Sequence, residues 1–145
     1  MKALLQRVSQ SSVRVDNQII SSIENGLLVL LGIEKEDTPA QAAALCKKIA
    51  NLRIFEDDQD KMNLSIMDVH GEILVISQFT LMANTKKGNR PSFVDAAPPE
   101  IAKPLIRVFC NTMQEYGIPV KEGVFGAHMQ VALINDGPVT IWLEN

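Results

Sequence analysis

A chain of 145 residues with 46% apolar and 21% charged residues is long enough to bury one folded core and too apolar to be disordered. A net charge of −3 argues against a general RNA-coating or DNA-binding domain, which needs a basic surface, but leaves room for a local basic patch. No stretch reaches the roughly 20 apolar residues of a membrane helix, and the N-terminus lacks a signal peptide, so a soluble cytoplasmic protein is expected.

The first third of the chain predicts three strands joined by tight turns. Imperfect alternation of polar and apolar residues over 4–15 is typical of a half-buried strand, and Asp16-Asn17 predicts the turn into a second strand over 18–23. Asn25-Gly26 predicts another turn. The unbroken apolar run 27–33 that follows predicts a central strand.

A helix is predicted next, because Thr38 suits the N-cap and Pro39 the first helical position. Apolar residues then recur at helical spacing at Ala42, Leu45, Ile49 and Leu52. Residues 56–63 predict an acidic loop. Farther on, His70-Gly71 predicts a turn before a strand over 72–82.

The remainder predicts a long loop over 83–98, a second helix over 98–117, and three strands, over 120–126, 128–134 and 139–143. No repeat, linker or break in composition divides the chain, so a single domain, 1–145, is expected. Many strands with two helices favour an α+β fold: a mainly antiparallel β-barrel or sheet with two principal covering helices.

Neither a cofactor nor a metal ion is expected. Cys46 and Cys110 fall in helical segments, are too few for a disulfide framework and have no neighbouring metal ligands, which favours reduced core thiols. The chain contains neither a phosphate-binding Gly-rich loop nor a dinucleotide fingerprint.

The segment Ser77-Gln78-Phe79-Thr80 ends an apolar run and is the first candidate site. If it is a strand, Gln78 and Thr80 face one side and need hydrogen-bond partners or water. The alternative is a strand end that simply emerges into solvent. Thr80 as a nucleophile would need an adjacent base, and the two histidines show no triad spacing.

Gly137-Pro138 interrupts the last apolar region and is the second candidate. Gly137 permits close approach of backbone to a ligand, and Pro138 fixes its own φ and donates no N–H; the alternative is an ordinary turn. The sequence leaves open whether this bond is cis.

Lys86, Lys87 and Arg90 form the only concentrated cationic stretch, which suits either a phosphate clamp or a solvated loop.

Residues 77–81 (Ser-Gln-Phe-Thr-Leu) and 135–140 (Asn-Asp-Gly-Pro-Val-Thr), with the opening strand 1–8, resemble the D-aminoacyl-tRNA deacylase family over the whole chain. The resemblance implies the barrel-like fold and hydrolysis of the ester bond of D-aminoacyl-tRNA, and also of glycyl-tRNA mischarged on tRNA-Ala. It also implies tRNA as a partner and a homodimer, with neither DNA nor a membrane involved.

The same resemblance implies roles for individual residues. Gly137 and Pro138 would form a cis gate in the partner subunit's site that rejects L-amino acids by exclusion. Phe125 and Met129 would line the pocket of the terminal adenosine, although core packing explains them nearly as well. Ser77, Gln78 and Thr80 would position the substrate, and backbone amides near Phe79 and Thr80 would stabilise the oxyanion while the RNA's 2′-hydroxyl activates water.

Two other functions remain compatible with these residues. The first is an esterase or amidase for free D-amino acid derivatives with Thr80 as nucleophile, for which Lys86, Lys87 and Arg90 would be dispensable. The second is a non-catalytic tRNA-binding barrel, against which the acidic net charge argues. Salt dependence separates the first from the deacylase, because only an RNA substrate makes binding strongly sensitive to salt.

Overall fold

The computed structural model describes residues 1–145 and contains eight strands, two α-helices and one short 3-10 helix. The strands of the main sheet are β1 (Lys2–Val15), β2 (Gln18–Ile23), β3 (Gly26–Gly32), β6 (Glu72–Ser77), β7 (Val120–Glu122) and β8 (Gln130–Glu144). The remaining elements are α1 (Pro39–Ala50), β4 (Phe55–Glu56), β5 (Met62–Leu64), the 3-10 turn (Phe79–Met82) and α2 (Pro99–Glu115).

The long strand β1 organises the sheet, because it pairs antiparallel with three others. β8 runs along one edge of it, while β3 and β2 share the other edge, one on each half of β1. β6 and β7 then extend the sheet from β3 as parallel strands. The predicted α+β class, with a mainly antiparallel, barrel-like sheet and two covering helices, is confirmed, and two of its strand pairs are parallel.

The sheet curls until its two ends meet. The Lys121 ammonium donates to the Ser22 carbonyl over 2.6 Å, and the Ser21 hydroxyl donates to the Glu122 carbonyl over 2.8 Å. Lys121 also pairs with Glu72 at 3.2 Å. These side-chain contacts join β2 to β7 where backbone pairing is absent, so the barrel is nearly closed.

The central strands are apolar throughout because both of their faces are buried. One face packs against α1 and α2 in a core of 25 buried residues that includes Leu31, Val75 and Phe109. The other face lies inside the curl, where Leu28 and Ile76 belong to a second core of six residues. The continuous apolar runs that predicted these strands therefore reflect two cores rather than one.

Several local predictions are confirmed. Asp16 and Asn17 both have positive φ, 50° and 63°, as the tight turn between β1 and β2 requires. The Thr38 side chain caps α1 in a capping box with Gln41, and Pro39 begins the helix. These features depend on neighbours in sequence, which is why the sequence alone could predict them.

Other boundaries differ from the prediction. The acidic segment 56–63 is part of a small hairpin of β4 and β5, and the segment predicted as two strands over 128–143 is the single strand β8. The strand predicted over 72–82 ends at Ser77 and continues as the 3-10 turn. The reason is tertiary: Met82 is buried against Gly32, where an added Cβ would lie only 2.6 Å from the Met82 methyl carbon.

Both cysteines are free and buried, as predicted. Burial raises the pKa of the Cys46 thiol to about 12, and it also raises the pKa of the Cys110 thiol. Both thiols are therefore protonated at neutral pH and unsuited to act as nucleophiles. Neither helix is both long and apolar enough to cross a membrane.

We expect stability to fall in acid partly through Asp68. Its carboxylate accepts hydrogen bonds from the Ser65 hydroxyl and N–H, both at 2.7 Å, which lowers its pKa. Because the folded pKa lies below the unfolded value of about 3.9, this contribution is complete above that pH and is lost as pH falls through the folded pKa. Chemical denaturation between pH 6 and pH 2 should show a smaller decrease in the free energy of unfolding for Asp68→Asn than for wild type. Equal decreases in the two proteins would contradict this assignment.

Candidate active site

A cavity of about 520 Å3 opens where β3 and β6 end, beside the start of α2. This volume is within the range of small-molecule sites. Its wall is mostly apolar, with Leu31 and Ile76 from the strands and Ala102 from the helix. Its polar side chains come from Ser77, Gln78 and His128.

Residues 77–79 line the edge of this cavity, and Thr80 directly follows them. The Gln78 N–H donates to the Leu31 carbonyl over 2.8 Å, which ties the segment to β3. The first hydrogen bond of the 3-10 turn runs from the Leu81 N–H to the Gln78 carbonyl over 3.2 Å. The N–H groups of Phe79 and Thr80 precede that bond and are not used by the turn itself. Two adjacent donors are therefore placed at the edge of an apolar cavity.

The alternation of side chains predicted for 77–80 is wrong, because the strand stops at Ser77. Ser77 and Gln78 are half-buried, while Phe79 and Thr80 are exposed. The Gln78 side-chain amide donates to the Thr80 hydroxyl. A carboxamide is not a base, so nothing beside Thr80 can take its proton.

The cavity wall contains one titratable side chain, His128, for which the sequence showed no triad spacing. It is exposed and contributes to the wall. Neither His128 nor His70 hydrogen-bonds to a carboxylate or a hydroxyl. A hydrogen-bonded Ser/Thr-His-Asp triad is therefore absent, and His128 is the one side chain in the wall that could accept a proton.

Phe125 and Met129 both line the cavity and are half-buried, on the loop between β7 and β8. The Met129 sulfur accepts a hydrogen bond from the Val124 N–H over 3.3 Å. It also packs against Gly123, where an added Cβ would lie 2.6 Å from the sulfur. The loop thus fixes a thioether and an aromatic ring on one wall, a surface that suits a flat, apolar ring.

Gly137 and Pro138 belong to a four-residue insertion, Asp136–Val139, that bulges from β8 opposite a single residue of β1. The Asn135 side chain closes its base by accepting from the Val139 N–H over 2.8 Å. The Gly137-Pro138 peptide bond is cis, and both residues are exposed. Neither lines the cavity of its own chain.

Arg7 holds this insertion, a role that no motif in the sequence indicated. Its guanidinium is buried and donates to the carbonyls of Asp136 and Ile54 over 2.9 and 2.8 Å and to the Glu56 carboxylate over 3.2 Å. Arg7 lies two residues after Leu5, so both side chains point to the core face of β1. An arginine on a core face is the signal that could have revealed this role.

The cationic stretch lies on a separate loop next to the cavity. Asn84 and Ser92 exchange two backbone hydrogen bonds and close the loop that carries Lys86, Lys87 and Arg90. All three cations are exposed, and none belongs to an ion pair. They do not line the cavity, but they are available to an anion that extends from it.

Comparison with known proteins agrees with this geometry. Residues 4–144 match the family model described as D-Tyr-tRNA(Tyr) deacylase. A D-aminoacyl-tRNA deacylase of Thermomicrobium roseum is 57% identical over 145 residues, which is 100% of this chain and 94% of that protein.

Solved structures give the same result. A chain named c-Myc DNA Unwinding Element Binding Protein is 46% identical, with a TM-score of 0.94, covering 100% of this chain and 99% of its own. A second, from work titled "Structural Analysis of a probable eukaryotic D-amino acid tRNA deacylase", shares the fold at a TM-score of 0.84 and 17% identity over 98% of this chain and 97% of its own. Since the family model spans nearly every residue and a relative above 50% identity spans the full length, the chain belongs to the D-Tyr-tRNA(Tyr) deacylase family.

Proposed function

We propose that this protein hydrolyses the ester bond that joins a D-amino acid to the 3′ end of tRNA, releasing the free D-amino acid and the tRNA. The strongest support is the position of the Phe79 and Thr80 N–H groups beside an apolar cavity that contains no hydrogen-bonded Ser/Thr-His-Asp triad. Family membership supports the same reaction. The protein acts in the cytoplasm, where charged tRNA is found.

The chemistry needs positioning more than a strong nucleophile, because an aminoacyl ester is already activated. The oxygen of a water molecule attacks the ester carbonyl, and the Phe79 and Thr80 N–H groups stabilise the resulting oxyanion. The bond to the ribose oxygen then breaks, and that oxygen takes the proton from the water by way of the neighbouring 2′-hydroxyl. Gln78 and Thr80 position the ester, which requires no base from the protein.

The wall formed by Phe125 and Met129 takes the terminal adenine, since an aromatic ring and a thioether suit the face of a base. Lys86, Lys87 and Arg90 bind phosphates of the acceptor end. Their exposure and their lack of carboxylate partners support this role. A local basic loop of this kind is compatible with the acidic net charge.

The exposed residues 136–138 of the insertion enter the cavity of a partner subunit and exclude L side chains there, while Val139 is buried in its own chain. Its support is that Gly137 and Pro138 project from their own chain and do not line its cavity. Exclusion discriminates by a clash rather than by a fitted pocket, so many D-amino acids are accepted. Glycine has no side chain to exclude, so glycyl-tRNA mischarged on tRNA-Ala is also a substrate.

A homodimer follows from this gate, and one face of the sheet suits it. Leu4 lies directly opposite Trp142 on one side and Leu30 on the other, away from the two helices. Trp142 is 45% exposed, while Leu4 and Leu30 are half-buried. Adjacent apolar side chains of this size on an uncovered sheet face are typical of a subunit interface.

Trp142→Arg should therefore convert the protein to a monomer, because a buried interface charge without a partner costs several kcal/mol. Sedimentation velocity at micromolar concentration measures the change, and circular dichroism checks the fold. Ile19→Arg is the matched control, since Ile19 is at least as exposed, at 57% against 45%, but lies on β2. A Trp142→Arg protein that remains dimeric would contradict an interface at this face, and a wild-type monomer that still rejects L substrates would contradict the cross-subunit gate.

Thr80→Ala should retain substantial activity, within about tenfold of wild-type kcat, because the hydroxyl positions the ester and does not attack it. Single-turnover hydrolysis of D-tyrosyl-tRNA measures this, and Gln78→Ala tests the side chain that bonds the hydroxyl. Complete loss of turnover with tRNA binding and fold intact would instead support Thr80 as the nucleophile.

The deciding experiment is release of amino acid from matched D-tyrosyl- and L-tyrosyl-tRNA by the purified protein without added cofactor. Rapid loss of the D ester alone is expected. Hydrolysis of both would keep the esterase and reject the gate. Hydrolysis of neither, with tRNA still bound, would favour a binding module, whereas turnover of free D-tyrosine esters but not of tRNA would favour an esterase that does not use RNA.

A further inference from the structure

The ring of Phe79 is unusual for an apolar side chain, because it is 55% exposed and yet fixed in place. Phe93 contacts it edge to face, with ring centroids 5.1 Å apart and an interplanar angle of 71°. An edge-to-face contact with a single ring occupies at most one face of Phe79 and leaves the other face open to a ligand. The proposed oxyanion role uses only the Phe79 backbone, so the open ring has no function in the reaction described above.

The position of this ring is between the cavity and the cationic loop. Phe79 itself lines the cavity. Its partner Phe93 directly follows Ser92, which closes the loop by pairing with Asn84. A chain of nucleotides that extends from the cavity along this side towards Lys86, Lys87 and Arg90 would run beside the two rings.

We infer that the ring of Phe79 is a stacking platform for the nucleobase that precedes the terminal adenosine, which in tRNA is a cytosine. Every nucleobase has a π face, so stacking on an aromatic ring holds a single-stranded end without reading its sequence. The phosphate between the two nucleotides then lies on the side of the cationic loop. This inference rests on the proposed function and adds a second nucleotide subsite to it.

Binding of three stable ligands tests the subsite directly. The first is adenosine with D-tyrosine joined to its 3′ position through an amide, which resists hydrolysis. The second is the same compound with a cytidine joined to its 5′ position through a phosphate. The third has the same phosphate but an abasic ribose in place of the cytidine. The second and third ligands have the same phosphate and differ only in the nucleobase. Titration calorimetry at a fixed salt concentration measures the affinity for each ligand. It therefore separates the contribution of the nucleobase from that of the phosphate charge.

Wild type should bind the cytidine ligand about tenfold more tightly than the abasic ligand, a gain in the range measured for base–aromatic stacking. Phe79→Leu keeps the backbone N–H and should reduce that ratio to about onefold, whereas Phe79→Tyr should preserve it. Val94→Ser is the matched control, because Val94 is an exposed apolar residue, at 62%, that directly follows Phe93, and the substitution should leave the ratio unchanged. Circular dichroism checks that each variant is folded.

Three results would overturn the inference. A ratio near one in wild type would mean that the base does not stack, and a ratio that survives Phe79→Leu would place it elsewhere. If Phe79→Leu changes only the preference between D-tyrosyl and D-alanyl ligands, the ring packs against the amino acid instead. Each result leaves the proposed function standing, because that function fails only if wild type does not hydrolyse D-tyrosyl-tRNA.

Discussion

Arg7→Ala should destabilise the protein by about 2–4 kcal/mol and, under the proposed gate, raise hydrolysis of L-tyrosyl-tRNA relative to the D ester about tenfold or more. The buried guanidinium satisfies the carbonyls of Ile54 and Asp136, which lie in separate parts of the chain. Without it, both carbonyls lose their donor and the insertion loses its anchor. Urea unfolding and paired assays on the two esters measure the two effects.

Arg14→Ala is the control for that experiment, because Arg14 lies on the same strand but is exposed. Its free energy of unfolding should change by no more than about 0.5 kcal/mol, and its rejection of L substrates should stay intact. An Arg7→Ala protein that is as stable as wild type would show that the hydrogen bonds contribute little. A destabilised variant that still rejects L substrates would separate Arg7 from the gate.

Phe79→Pro should lower kcat by about 10²–10³ relative to Phe79→Ala, since only the proline removes a backbone N–H from the proposed oxyanion hole. Proline is tolerated at the first position of a helix, and the Phe79 N–H precedes the first hydrogen bond of the 3-10 turn. The turn should therefore survive the substitution. Single-turnover hydrolysis of D-tyrosyl-tRNA at saturating enzyme gives the comparison.

Phe79→Ala is the essential reference, because it removes the same ring and keeps the donor. Any loss shared by the two variants belongs to the side chain, and only the difference belongs to the N–H. Thermal unfolding of both variants shows whether the turn has been disrupted. Equal kcat values in two folded variants would exclude the Phe79 amide from transition-state stabilisation.

Local chemistry explains which parts of this protein the sequence determined. The Asp16-Asn17 turn, the Thr38 cap and the Pro39 start of α1 each depend on residues within one turn of one another. The continuous apolar runs also predict β3 and β6 from local sequence alone, because a strand buried on both faces does not alternate polar and apolar residues. The motif at 77–81 allowed the family to be recognised, since its residues are contiguous in the chain.

Only the tertiary structure decided how the candidate site is assembled. The strand before the site ends at Ser77 because Met82 packs against Gly32, a contact between residues 50 positions apart in sequence. The anchor of the 136–139 insertion is Arg7, at the opposite end of the chain. β8 continues as one strand past that insertion, because the residues before and after the insertion both pair with β1. Periodicity and propensity act over one or two turns of chain, so contacts across the sheet could not be predicted from them.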